Sequence, residues 1–207
     1  QRLSVVPDEG EIQLRDVGFH YNLPNAPEVL RNITATIPAG KVTAIVGTSG
    51  SGKSTLLKLL QGFYQPTEGE ILVGGTNLST LNKTFWRSIS GVVSQDGYIF
   101  SDTIARNIAL GEEYIDQKRL IRAVKIAQIE RFIDRLPKGY GTIIGEAGAG
   151  LSKGQQQRLL IARAIYHQPK YLFLDEATTG LNAFTEVTIM DELFEYMEGA
   201  TIMIIPL

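Results

Sequence analysis

Gly47-Thr-Ser-Gly-Ser-Gly-Lys-Ser-Thr55 has the residue types and spacing of a turn that holds phosphate, Gly-x-x-x-x-Gly-Lys followed by a hydroxyl residue. Glycines at 47, 50 and 52 let the backbone curl until successive N–H groups face one point, at the positive end of a following helix. Lys53 brings a point charge to the outer phosphates, and Ser54 a hydroxyl suited to Mg²⁺; Thr48, Ser49, Ser51 and Thr55 complete the loop. The bland alternative is a glycine-rich turn that binds nothing. Asp175-Glu176 forms a second group, in which Asp175 suits Mg²⁺ coordination and Glu176 can polarise an attacking water. Taken alone, this pair is equally a solvated acidic turn ahead of a helix. The third group is Leu151-Ser-Lys-Gly-Gln155, where Ser152 and Gly154 stand at a helix start and could meet an anion with hydroxyl, amides and dipole. In isolation such a pentapeptide is an ordinary capped helix.

The flanking elements are those these groups require. Lys41-Val-Thr-Ala-Ile-Val46 is apolar after its lysine and β-branched, which predicts a buried central strand running into the first loop. A leucine-rich helix over Thr55–Gln61 follows, with Gly62 as its stop. Tyr171-Leu-Phe-Leu174 predicts a second buried strand. Strand C-termini of an open parallel sheet face the ligand crevice, so Asp175 and Glu176 are expected to flank the phosphate loop. Between these strands the pattern turns helical. Ile129, Phe132, Ile133 and Leu136 share one face, closed by Pro137, and a helix is predicted from Lys153 to about Tyr166, with Ser152 as cap and Pro169 beyond. Ile12–Val17 and Ile33–Ile37 alternate, as half-buried strands of an antiparallel sheet do. Residues 1–10, with Pro7 and Gly10, read as a linker.

At 207 residues the chain can bury one sizeable core with a subdomain inserted in it. Its 43% hydrophobic and 20% charged residues exclude a disordered chain. A net charge of −2 gives no general attraction to nucleic acid, and zero cysteines exclude a disulfide framework and thiolate metal sites. No apolar run approaches the roughly 18–20 residues of a membrane-spanning helix, and the first residues do not read as a signal peptide. The start at Gln1 and the stop at Leu207, directly after a strand-like run, read as a piece of a longer polypeptide.

Leu151-Ser-Lys-Gly-Gln155 resembles the signature Leu-Ser-Gly-Gly-Gln of ATP-binding cassette (ABC) proteins, with Lys153 at the tolerant third position. Its order relative to the Lys53 loop and Asp175-Glu176 makes coincidence improbable, and further positions match the family one by one. Tyr21 looks like the aromatic that stacks on adenine. Gln95, in Val93-Ser-Gln-Asp96, resembles the glutamine that meets Mg²⁺ and couples to a transmembrane partner. Ser101–Ile108 looks like the segment that follows that glutamine in exporters, and Thr142–Glu146 like a loop touching an exporter's intracellular helices.

The resemblance implies an α/β fold: a P-loop NTPase core with a mostly parallel sheet, an N-terminal antiparallel β subdomain and an inserted helical subdomain. The expected division is a linker at 1–10, the core with its β subdomain at 11–95 and 168–207, and the helical signature subdomain at 96–167. It further implies MgATP as ligand and a head-to-tail pair with a second cassette, identical or not. ATP would lie between the Lys53 loop of one and the Ser152 signature of the other. The implied partner is an exporter's transmembrane domains, and the implied place the cytoplasmic face of the cell membrane. Glu176, Lys53 and Gln95 would be catalytic, and Ser54, Gln95 and Asp175 would face the metal. A soluble cassette of DNA repair or translation and a non-hydrolytic regulatory cassette stay open as alternatives. Two positions depart from the family pattern: Asn182 stands where an aspartate is usual, and alignment of the last strand puts Leu207 where a γ-phosphate histidine is usual. The two histidines, His20 and His167, lie elsewhere, His167 at a helix end with an expected surface role.

Overall fold

The computed structural model describes residues 10–146 and 148–207; the linker expected at 1–10 lies, apart from Gly10, outside them. The first stretch gives β1 (Ile12–His20), β2 (Glu28–Ile37), β3 (Val42–Ala44), α1 (Lys53–Leu60), β4 (Glu68–Val73) and β5 (Thr76–Asn77). Then come α2 (Lys83–Ser88), β6 (Ser90–Val93), β7 (Asp102–Thr103), α3 (Ile104–Ile108), α4 (Gln117–Ile126) and α5 (Glu130–Asp134). The chain closes with β8 (Ile143–Ile144), α6 (Lys153–Tyr166), β9 (Tyr171–Asp175), α7 (Ala183–Tyr196) and β10 (Thr201–Ile205). Two compact units result. Residues 10–91 join Lys170–Asp175 and Gly199–Pro206 in the first, and Val92–Pro169 joins Glu176–Glu198 in the second.

In the first unit an antiparallel sheet runs β2-β1-β4-β5. The alternation in β1 buries Ile12 and Leu14, which lie opposite Ile37 and Ala35 on β2 and Val73 and Ile71 on β4. Register shifts between Leu14 and Val17, where Asp16 has φ 48°, so a bulge turns Val17 and Phe19 back to the core. The parallel sheet runs β3-β10-β9, with β6 next to β9. α1 buries Leu56, Leu57, Leu59 and Leu60 in one core with Phe173, Met203 and Ile205 from β9 and β10 and with the apolar face of β1 and β4.

One strand expectation is corrected. The buried central strands are β9 and β10; β3 is three residues long, pairs with β10 alone, and leaves Val42 and Val46 exposed. A continuous apolar run fits both a buried centre and a sheet edge, and periodicity does not separate them.

The second unit is built on α6, which buries Leu159–Ala162 and Ala164–Tyr166 and packs on α3 and α4. The helix expected through Leu136 is shorter, ending at Asp134; Ile129 and Ile133 are fully buried, while Phe132 and Leu136 are only half-buried. Gln128, at φ 57°, separates it from α4, and Pro137 disfavours helical geometry at Leu136. A polar knot pins the segment ahead of α3. Asn107, almost fully buried, donates from Nδ2 to the carbonyls of Phe100, Asp102 and Thr103 and accepts the Phe100 amide on Oδ1. Arg163 of α6 donates to the Asn107 carbonyl at 2.7 Å and the Tyr98 carbonyl at 2.8 Å, with its guanidinium over the Phe100 ring. Burial lowers the pKa of this guanidinium. Asn107→Ala strands several of these groups and is expected to cost about 2–3 kcal/mol. Urea unfolding checks it through a lowered midpoint at unchanged slope.

The fold is thus the expected one, α/β with a parallel sheet, an antiparallel β subdomain and a helix-rich insertion between β6 and β9. Among the described residues no helix is long and apolar enough to cross a membrane.

Candidate functional site

In the first unit the phosphate-type loop leads into α1. Gly52 is the N-cap residue at φ 94°, and a Cβ there would lie 2.8 Å from Leu30 Cδ2, so only glycine serves. The helix ladder begins with Leu56 N–H donating to Gly52 O at 2.9 Å, which leaves the amides of Lys53, Ser54 and Thr55 ahead of it for an outside acceptor. Lys53 Nζ donates to the carbonyls of Gly47 at 2.7 Å and Thr48 at 2.8 Å, so the ammonium is folded over the loop. Gly47, Thr48, Ser49, Gly50, Ser51 and Ser54 are exposed, whereas Thr55 is buried. Asp175 ends β9 in the same unit, half-buried after four buried residues.

Tyr21 is braced edge-on by Phe19, with centroids 5.0 Å apart, and by Tyr64 at 5.6 Å; its hydroxyl is 3.0 Å from Thr55 Oγ1. The helix-start amides, the Lys53 ammonium and the Ser54 hydroxyl of this loop are donors that fit a polyphosphate. Among the described residues no cluster of three or more His, Cys, Asp or Glu could hold a metal by itself.

In the second unit Ser152 caps α6 in a reciprocal pair with Gln155. Ser152 Oγ accepts the Gln155 amide at 3.1 Å, and Gln155 Oε1 accepts the Ser152 amide at 2.9 Å. The Gln155 side-chain oxygen is therefore taken up by the cap, while the exposed Ser152 still has its own O–H to donate. Leu151 and Lys153 flank the cap, Lys153 exposed. A Cβ at Gly154 would press on the Gly180 carbonyl at 3.1 Å, which favours glycine where the first turn of α6 meets the loop before α7. Gln95 Nε2 donates to Glu176 Oε2, so these two functional candidates are brought together. Glu176 has φ 47°, a left-handed conformation that costs a non-glycine residue energy and is common at functional sites. Asn182 accepts the Thr185 amide at 2.9 Å as the cap of α7, a role the aspartate it replaces would fill equally.

His20 is exposed, with Nδ1 facing the Tyr21 carbonyl. His167 is half-buried against the Tyr166 ring, 3.7 Å from Glu112, rather than free on the surface; burial lowers its pKa, against the opposing pull of Glu112. Sequence reasoning missed Gln157, a fully buried polar side chain that ties α6 to the Ala177 carbonyl at 2.6 Å, and it missed Asn107 and Arg163. A lone polar residue inside a helical pattern carries no signal of burial.

The profile described as ABC transporter matches residues 30–179, well over half of the chain. The chain belongs to the ABC transporter family. The cassette is 44% identical over 204 residues to the leukotoxin translocation ATP-binding protein LktB of Mannheimia glucosida, covering 99% of this chain and 29% of that protein. It is 43% identical to the LktB of Bibersteinia trehalosi over the same length. It superposes with a TM-score of 0.92 and 37% identity on a bacterial Atm1-family ABC exporter solved with ATP bound, covering 99% of this chain and 36% of that one. The cassette thus spans less than a third of the length of these curated relatives.

Proposed function

We propose that the cassette binds MgATP, pairs head-to-tail with a second cassette, and hydrolyses ATP to drive the transmembrane domains of an exporter. The observation that carries this is the Lys53 loop. Its ammonium is folded over a curl of backbone that opens into α1, in a chain 37% identical to an exporter solved with ATP bound. The names of the LktB relatives, translocation ATP-binding proteins, support the same direction. The second cassette can be identical or different.

In this reading Lys53 and the amides of the loop hold the outer phosphates, Ser54 and Asp175 face the cation, and Tyr21 carries the adenine. Mg²⁺, when bound, neutralises phosphate charge and orients the outer phosphates. Glu176 accepts the proton of the attacking water, and Gln95, bonded to it, aims its carboxylate. Ser152 and the amides that open α6 supply hydrogen-bond donors to the γ-phosphate of a nucleotide held by the partner cassette. Exposed Tyr98 and Phe100, beside the Gln95 loop, offer an apolar surface to the transmembrane partner. The cassette would then work at the cytoplasmic face of the membrane, held there by that partner. Turnover by these 207 residues alone is expected to be slow, and a steady-state assay of phosphate release measures it.

Titration calorimetry with ATP tests the reading at its adenine end. Tyr21→Ala is expected to weaken ATP by about 1–3 kcal/mol, the range for aromatic–base stacking, and to leave inorganic triphosphate unaffected. Equal loss of both ligands would make Tyr21 a structural residue.

A further inference from the structure

A left-handed conformation such as that of Glu176 persists where its surroundings over-determine it. Two residues of the second unit do so. Thr179 donates to the Glu176 carbonyl from its amide at 3.2 Å and from its hydroxyl at 2.8 Å. Gln157, 2% exposed within α6, donates from Nε2 to the next carbonyl, that of Ala177, at 2.6 Å. The same nitrogen lies 3.5 Å from the Ser94 carbonyl, a long contact on the residue before Gln95. One amide group thus reaches the backbone beside each member of the pair in which Gln95 Nε2 donates to Glu176 Oε2. The Gln95 loop also lies close on α6, since a Cβ at Gly97 would collide with Leu160, the next turn after Gln157.

We infer that Gln157 is a positioning residue for hydrolysis: it holds the backbone that carries Glu176, and so aims the carboxylate that Gln95 meets. The inference rests on the reading of Glu176 as proton acceptor and assigns Gln157 the part of fixing its pose. A buried amide on an apolar helix face costs free energy unless its hydrogens are used, and an apolar side chain of the same length would avoid that cost. Here the hydrogens go to backbone next to the pair. Relaxation of residue 176 to an ordinary φ would swing the carbonyls of both Glu176 and Ala177, and the donors on Thr179 and Gln157 oppose that swing. A carboxylate on an unclamped turn samples several directions, and misplacement by about 1 Å can cost on the order of 100-fold in rate. Because Ser152 caps the same helix, the bond also ties the pose of Glu176 to the element that carries the signature.

The consequence is a loss of rate without a loss of binding. Gln157→Met keeps the length of the side chain and removes the donor; Gln157→Asn keeps the amide but falls one methylene short of the Ala177 carbonyl. Each is expected to slow single-turnover hydrolysis at high protein concentration by about 10–100-fold. ATP affinity by titration calorimetry is expected to stay within twofold. In the Glu176→Gln background neither substitution is expected to slow the residual rate further, because the group it aims is already gone. Thermal melting establishes which variants are folded at the assay temperature. An unchanged rate in a folded variant overturns the inference. So does a loss of the same factor in the Glu176→Gln background, which would mean that Gln157 supports the fold or the signature and not the base. If neither variant folds, the bond serves folding alone and the inference is overturned as well. Failure of the underlying reading looks different: Glu176→Gln by itself would then hydrolyse ATP as fast as the unmodified chain, whatever Gln157 does.

Discussion

Lys53→Ala is expected to weaken ATP by about a hundredfold or more while the chain melts within a few degrees of its original temperature. The two halves of that expectation have separate causes. Lys53 Nζ donates to the carbonyls of Gly47 and Thr48, two partners that sit in the exposed loop and can be hydrated when the ammonium is gone. The core side of α1 rests on Leu56, Leu57, Leu59 and Leu60, none of which touches the question. Alanine in the first turn of a helix carries no propensity penalty. Phosphate, in contrast, loses its one point charge in the loop, and charge-assisted bonds are worth roughly twice a neutral one. Lys53→Arg sharpens the test, since it keeps the charge but brings a planar fork that does not fit where a compact ammonium sat. Calorimetry with ATP and with inorganic triphosphate, beside a melting curve, reads both halves. Undiminished affinity for either ligand in folded Lys53→Ala would remove the phosphate assignment.

Much of this site was legible because its signals are local. A glycine-rich turn between an apolar strand and a leucine-rich helix is written in consecutive residues, and the loop and α1 formed where they were expected. Ser152 as cap and the span Lys153–Tyr166 were readable for the same reason, since a hydroxyl, a glutamine three residues on and a downstream proline bracket the helix. What failed was non-local. Whether Val42–Ala44 lies at the centre or the edge of its sheet depends on which strands arrive beside it, and those come more than a hundred residues later. Partners of buried polar groups were equally hidden. Gln155 turned out to be committed to a cap, Asn107 and Arg163 to each other, and Thr55 to Tyr21, and no periodicity distinguishes a polar residue that faces a neighbour from one that faces water.

Glu176→Gln should separate binding from chemistry. The exchange conserves shape and backbone demand, so the left-handed conformation at 176 is no harder for glutamine than for glutamate. The amide oxygen can still accept the hydrogen that Gln95 Nε2 now gives to Glu176 Oε2, so the loop geometry has no reason to change. What disappears is a carboxylate able to take a proton, and the loss of such a general base costs about 10²–10⁴-fold. ATP affinity is expected to stay within twofold. Association is a second readout, independent of the rate. ATP that bridges two cassettes and is not consumed holds them together, so the variant should move toward dimer on size-exclusion chromatography when MgATP is present and return to monomer when the nucleotide is removed. Single-turnover measurement at high protein concentration supplies the rate. A variant that hydrolyses ATP as fast as the unmodified chain would take the proton-accepting role away from Glu176. One that binds ATP, stalls and yet never dimerises would leave that role standing and overturn the head-to-tail pairing.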